Sequence, residues 1–183
     1  MPNLPIPETY WVEENRLLAG QYPGSFYPET MRRRINLFLE AGVTAFIDLT
    51  EPEELKPYET TLKDQAQARG INVTYRRFPI HDYSVPSSET MTAILDAIDE
   101  AINNGRCVYV HCWGGVGRTG MVVGCHLVRH GLTNRQAAAE VDRLFKTHPD
   151  HSSFPRSPES DEQVDFILNW WDEEQNKKTF CEG

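Results

Sequence analysis

No run of residues in this 183-residue chain approaches the ~20 consecutive apolar side chains that a membrane-crossing helix requires. The first residues, Met1 to Pro7, are proline-rich and lack the continuous apolar centre of a secretory leader. Cysteine is sparse: Cys107, Cys112, Cys125 and Cys181 follow neither the spacing of a structural zinc site nor the framework of a small secreted domain. These absences point to a reducing compartment, with the cytoplasm as the expected location. Basic residues are outnumbered, 18 Lys and Arg against 27 Asp and Glu, and the formal net charge of -9 repels polyanions at long range. That argues against nucleic acid or an anionic membrane as the partner. The strongest basic run, Arg32-Arg33-Arg34, reads as the solvated face of a helix. No repeat, low-complexity block or linker divides the chain. Its 39% hydrophobic and 25% charged residues suit one domain over residues 1–183, with residues 1–15 as an N-terminal arm.

What the chain does contain is an alternation of strand-like and helix-like segments. Leu17 to Gly20 reads as a short strand before the turn at Tyr22-Pro23-Gly24. Met31, Ile35, Leu37, Phe38 and Leu39 carry a helix that stops at Gly42. Val43 to Leu49 is an apolar strand, Glu53 to Ala68 a helical stretch closed by Gly70, and Ile71 to Phe78 the next strand. Met91, Ile94, Leu95, Ile98, Ala101 and Ile102, spaced three and four apart, place a helix between Pro86 and Gly105. Cys107 to His111 is the expected central strand and Met121 to Val128 a buried helix. Thr133 with Gln136 makes a capping box for a helix through Val141, Leu144 and Phe145. Thr147 to Arg156 is a polar loop, and Ser157-Pro158 opens a last helix striped by Val164, Ile167, Leu168 and Trp171. The alternation predicts an α/β fold, a short, mostly parallel central sheet flanked by helices on both faces.

Between the central strand and the next helix lies His111-Cys112-Trp113-Gly114-Gly115-Val116-Gly117-Arg118-Thr119-Gly120. The spacing of Cys112 and Arg118 lets a short loop curl around one tetrahedral anion, with backbone N–H groups turned inward and the guanidinium closing the ring. Gly114, Gly115 and Gly117 remove the Cβ atoms that would crowd that curl. Trp113, Gly114, Gly115, Val116, Gly117 and Arg118 are therefore the expected phosphate-binding set. A helix N-terminus, inward N–H groups and Arg118 all favour the thiolate form of Cys112, so a bound phosphate would lie over a nucleophile. Spacing excludes two other phosphate loops. A Walker loop needs Lys after its last glycine, and none follows here. Gly115, Gly117 and Gly120 have the spacing of a dinucleotide fingerprint, but that loop has no task for Cys112 and Arg118.

The segment resembles the signature of the cysteine-dependent protein tyrosine phosphatases: His-Cys, five residues, then Arg and Ser or Thr. His111, Thr119 and Gly120 extend the match. The resemblance implies the compact phosphatase fold, and the chain length suggests the dual-specificity-like branch. It also implies hydrolysis without metal or other cofactor, in two steps through a phosphocysteine on Cys112 while Arg118 and the loop amides hold the equatorial oxygens. The family's acid lies on a mobile loop about thirty residues before the nucleophile, often after proline. Asp82 matches that separation, with His81 where the proline would be. His111 resembles the residue that orients the loop, and Thr119 the hydroxyl that supports the leaving thiolate. Gln163 reads equally as the glutamine that positions water or as a helix-surface residue.

The rival acid, Asp48, ends a strand, where a carboxylate commonly binds backbone. Glu51, Glu53 and Glu54 read as complements to a helix dipole. His126 and His130, four apart on one helix, could share a metal, but no third ligand accompanies them in sequence and no metal site is expected. Cys125 or Cys181 would give redox control if either reached Cys112. Trp113 is placed to form a wall beside the phosphoester. The absence of lysine from Trp113 to Gly117 favours phosphotyrosine in a protein or peptide, then phosphoserine and phosphothreonine, handled by a monomer. A phosphate-recognising module with little turnover and a phosphatase for a non-protein phosphoester are the alternatives.

Overall fold

The computed structural model describes residues 4–149 and 153–171. In chain order the elements are β1 (Thr9–Glu13), β2 (Leu17–Gly20), α1 (Pro28–Glu40), β3 (Val43–Asp48), α2 (Glu59–Ala68), β4 (Thr74–Arg77), α3 (Ser88–Asn103), β5 (Cys107–His111), α4 (Gly117–Arg129), α5 (Asn134–Phe145) and α6 (Asp161–Leu168). The strands form one sheet in the order β1-β2-β5-β3-β4. All neighbours are parallel except β1 and β2. This is the mostly parallel α/β sheet with helices on both faces that the alternation predicts.

Period-two alternation in the strands divides the core between the faces. Val108 and Val110 of β5 join Leu17, Ala19, Ala45 and Ile47 beneath α3, α4, α5 and α6. Cys107 and Tyr109 point the other way, with Leu18, Val43 and Phe46, against α1 and α2. As the middle strand, β5 is buried at every position. Helix α4 is buried at all but one of its positions, since it packs against the sheet, α3, α5 and α6. Among the described residues, no helix is long and apolar enough to cross a membrane.

Four sequence expectations change. The N-terminal arm contains β1, where the β-favouring Thr9, Tyr10, Trp11 and Val12 pair antiparallel with β2. Helix α2 begins at Glu59 rather than Glu53: Pro52 and Pro57 flank the earlier stretch, and Glu53 adopts a φ of 69° that no right-handed helix contains. Helix α6 begins after Ser160, whose hydroxyl accepts from the Gln163 N–H while the Gln163 side chain returns to the Ser160 N–H. Trp171 lies beyond its end and is exposed, while Trp170 is buried. Arg34 also departs from the solvated run, because it donates to Gln21 Oε1 at 3.2 Å and the Tyr22 carbonyl at 3.1 Å.

Candidate active site

The parallel register brings the C-terminal ends of β2, β5 and β3 level: Gly20 and Asp48 both lie opposite His111. The connections after these strands therefore meet at one sheet edge, where open α/β folds bind ligands. The segment from Cys112 to Gly117 occupies that edge and runs directly into α4. Val116 caps the helix without a side-chain bond, so the first-turn N–H groups are left to other acceptors. Gly115 has a φ of 75°, and a Cβ there would lie 2.3 Å from the Gly20 carbonyl carbon and 2.6 Å from the Gln21 nitrogen. The loop thus rests on the β2 backbone, and the Tyr22 N–H donates to the Trp113 carbonyl at 2.9 Å.

Arg118, at 1% exposure one of the largest buried side chains, is held from three sides. Its Nη1 and Nη2 donate to Glu54 Oε2 and Oε1 at 2.8 and 2.7 Å, and Nη1 also reaches the Ile80 carbonyl at 3.1 Å. Asp82 Oδ1 stands 3.0 Å from Nη2. The Nε–H is buried and has no hydrogen-bond partner. Burial opposes the charge, but Glu54, the nearby Cys112 and Asp82 outweigh it and push the Arg118 pKa upward. In Glu54, burial is likewise overcome by the Arg118 hydrogen bonds, which hold the carboxyl below its ordinary range. Glu54 is therefore a site residue rather than a helix-dipole complement, which it cannot be with α2 starting at Glu59.

The loop after β4 brings in Asp82. Phe78 and Ile80 continue the sheet by donating to the carbonyls of Asp48 and Leu49 at 2.8 and 3.0 Å. Asp82 then stands over the edge, 38% exposed as a side chain. Tyr83 takes a φ of 58° and shares a hydrogen bond with Glu159. Burial and the charge of Asp82 raise the Glu159 pKa above the ordinary glutamate range.

Beneath Cys112, His111 is fully buried in a ring cluster with Tyr22, Tyr58 and Tyr109. Its Nδ1 lies 3.3 Å from the Cys112 carbonyl and its Nε2 2.7 Å from the Tyr58 hydroxyl. The carbonyl can only accept, so the proton is assigned to Nδ1, and Nε2 accepts from Tyr58. Burial lowers the His111 pKa despite the field of Asp48, whose Oδ1 is 4.0 Å away. Asp48 itself accepts from the Thr50 N–H and hydroxyl, Tyr75 and Arg77 at 2.9, 2.7, 2.7 and 3.0 Å. The field of His111 and those hydrogen bonds overcome burial and keep the carboxyl below its ordinary range, so Asp48 is unsuited to proton donation. Thr119 Oγ1 is buried with no hydrogen-bond partner.

The remaining wall comes from the segment around α6. Gln163 is 1% exposed, not a helix-surface residue. Its amide lies against Gly117, where an added Cβ would meet Oε1 at 2.7 Å, and its Nε2 is 3.5 Å from the Ser84 carbonyl. Ser157 Oγ donates to the Val116 carbonyl at 2.8 Å and fills the space opposite Gly120. Cys112, Trp113, Gly114, Val116, Gly117, Arg118 and Asp82 line a cleft of ≈ 220 Å³ together with Gln21, Tyr83, Phe154 and Glu159. The last four were not legible in the sequence; Phe154 and Glu159 fall in or beside a segment whose local pattern signals only a polar loop. Cys125 is buried in the second half of α4 and forms no disulfide with Cys112, while Cys181 lies outside the described residues.

A protein-family model described as "Polymorphic toxin system, DSP-PTPase phosphatase" matches residues 27–132, a stretch containing Glu54, Asp82, Cys112 and Arg118. Protein tyrosine phosphatase domain-containing protein 1 of Mus musculus is 33% identical over 128 residues, 64% of this chain and 16% of that protein. Phosphatidylglycerophosphate phosphatase PTPMT2 of Arabidopsis thaliana is 30% identical over 131 residues, 71% of this chain and 52% of that one. The chain thus spans about half or less of the length of these curated relatives. Among solved structures, Tk-PTP in the active form has a TM-score of 0.65 at 26% identity, covering 88% of this chain and 94% of that one. PTPMT1 in complex with PI(5)P has a TM-score of 0.67 at 19% identity, covering 96% and 99%, a likeness of fold alone. With the loop, the edge it occupies and these relatives in agreement, the chain belongs to the cysteine-dependent protein tyrosine phosphatases, as a phosphatase of dual-specificity-like type.

Proposed function

We propose that the chain hydrolyses phosphotyrosine in proteins or peptides, with phosphoserine and phosphothreonine as lesser substrates, through a phosphocysteine intermediate. The observation that carries this reading is the make-up of the cleft over Cys112: one guanidinium, Arg118, two carboxylates, Asp82 and Glu159, and three aromatic rings, Tyr83, Trp113 and Phe154. A single cation suits a single phosphate, and the carboxylates repel a second one. The rings offer apolar walls to an aryl group, and Trp113, 57% exposed, has a face free for it.

Cys112 attacks phosphorus in line as the bond to the leaving oxygen breaks, and Asp82 hands that oxygen a proton. Arg118 offers its unpartnered Nε–H and the Nη2 edge beside Asp82 to two phosphate oxygens, while Glu54 fixes the far side of the guanidinium. Asp82 then serves as base for the water that cleaves the phosphocysteine, and the Thr119 hydroxyl supports the departing thiolate. His111 orients the loop through the Cys112 carbonyl. Gln163, between Gly117 and Ser84, holds the acid loop against the cradle and orients the water. Residues Trp113 to Arg118 supply the remaining phosphate contacts, and the positive field comes from Arg118 and loop amides in place of a metal ion.

A lipid phosphate is the second reading, favoured by the relative named as a phosphatidylglycerophosphate phosphatase. Turnover of a phosphotyrosine peptide, a phosphoserine peptide, phosphatidylglycerophosphate and phosphoinositides in excess chelator separates the two. The peptide bearing phosphotyrosine should give the highest kcat/KM, vanadate should block it, and Cys112→Ser should abolish it. Asp82→Ala should lower kcat by ~10²- to 10⁴-fold, more for alkyl than for aryl esters. A preference for phosphatidylglycerophosphate would transfer the assignment to a lipid. Undiminished turnover by Cys112→Ser would remove the phosphocysteine, and binding without turnover would leave a recognition module.

A further inference from the structure

His126 lies in the C-terminal half of α4 and His130 is the residue that caps its C-terminus, four positions on. Eight residues of rise separate Arg118 from His126, about 12 Å along the helix axis, so the pair is remote from the cradle. Helix α3 supplies what the local sequence does not, a third donor. Asp99 Oδ1 lies 2.9 Å from His130 Nε2 and 3.8 Å from His126 Nδ1. Asp99, His126 and His130 each offer one donor atom, and these atoms all lie within 4.8 Å of one another.

His126 is completely buried, and its Nδ1 has no hydrogen-bond partner. Its other nitrogen, Nε2, lies 3.0 Å from Glu13 Oε1 at the end of β1. A carboxylate there accepts, so Nε2 donates to Glu13, and Nδ1 is left facing the Asp99 oxygen without a hydrogen bond. The surrounding carboxylates are oriented to leave one oxygen inward. Arg16 takes Glu13 Oε2 at 2.8 Å, leaving Oε1 to His126, and Arg129 takes Asp99 Oδ2 at 3.2 Å and Asp96 at 2.7 Å, leaving Asp99 Oδ1 to the histidines.

We propose that Asp99, His126 and His130 bind a divalent transition-metal ion of the zinc class, with Glu13 holding the His126 ring from behind. Two imidazoles and a carboxylate on a tetrahedral ion, with water in the fourth place, is a donor set suited to Zn²⁺ or Co²⁺ and unsuited to Mg²⁺ or Ca²⁺. Ligand bonds of about 2.0–2.2 Å put tetrahedral donors roughly 3.4 Å apart, so displacements of about an ångström close the set. His130 is 49% exposed as a side chain and can move the proton from Nε2 to Nδ1, where water receives it. The Glu13–His126 bond is the carboxylate–histidine arrangement that fixes ring orientation at metal sites. The ion would tie together β1, α3 and the end of α4, segments far apart in the chain.

The test is a Co²⁺ titration of the full chain carrying Cys112→Ser, so that the catalytic thiol does not compete. Visible d–d absorption of four-coordinate Co²⁺ should saturate at one equivalent, be displaced by Zn²⁺ and persist in Mg²⁺, and Zn²⁺ should raise the Tm. Adding His130→Ala, at a half-exposed position where folding is checked by circular dichroism, should remove the band and the Tm rise. Glu13→Gln should weaken binding about 10- to 100-fold. No stoichiometric uptake, or uptake unchanged by both His130→Ala and Asp99→Asn, would overturn the site and leave these residues as ion pairs.

Discussion

Glu54 shows how much of the chemistry rests on single side chains that carry no local signal. It is one of several acids between Glu51 and Glu54, and nothing in that run distinguishes the one that reaches Arg118, 64 positions later. Its two oxygens fix the plane of the guanidinium, and the ion pair is mostly buried, so the restraint is not screened as a surface pair would be. Glu54→Gln keeps the volume but withdraws a charge and one acceptor. We expect kcat/KM to fall by roughly 10- to 100-fold through lost positioning, with alkylation of Cys112 by iodoacetamide still proceeding; a change under about twofold would show that Arg118 orients itself unaided. Cys112 and Arg118 were legible because their spacing is local, and Asp82 because its separation from Cys112 matched a pattern. Tyr83, Phe154, Glu54 and Glu159 were not, because only tertiary packing brings them to the cleft.

At the scale of elements, legibility followed the strength of local pattern. Helices α1 and α3 and strands β3 and β5 stand where periodicity and apolar runs put them, and the Thr133–Gln136 box opens α5 as read. The second box, Ser160 with Gln163, is equally local yet was passed over, because Gln163 was weighed as a catalytic or a surface residue. It is neither a bare cap nor a surface group: its amide joins the start of α6 to Gly117 of the cradle. The two duties can be separated. Ser160→Ala removes the cap and should cost about 1 kcal/mol in chemical denaturation while leaving kcat close to unchanged. Gln163→Ala should cost a similar amount and also lower kcat, since the acid loop loses its tie. Equal kinetics for the two variants would confine Gln163 to capping.

For the molecule as a whole, the buried polar cluster under the sheet edge sets a dependence of stability on pH. The folded-state pKa of His111 lies below its ordinary value, so below about pH 6.5 the unfolded chain takes up a proton that the folded chain refuses, and stability falls with pH. Asp48 is also depressed: its contribution is present above the ordinary aspartate range and is lost as pH falls through its folded value, in a second and more acid window. Urea unfolding of wild-type protein at pH 7, 6 and 5 should show the first decline, and His111→Gln should flatten it; an unchanged slope would mean that other histidines dominate. The parallel sheet and its two-sided helices were legible from alternation alone, whereas the antiparallel edge strand β1 was hidden in a segment too short to show a period.

The contact between Gly115 and the Gly20–Gln21 peptide leaves no room for even one methyl group. The curvature of the nucleophile loop is therefore moulded by a neighbouring strand's main chain as well as by its own glycines. Grafting residues 111–120 onto another strand–helix junction would transfer the letters of the motif without its shape, unless the recipient scaffold supplied a peptide bond at the same close range.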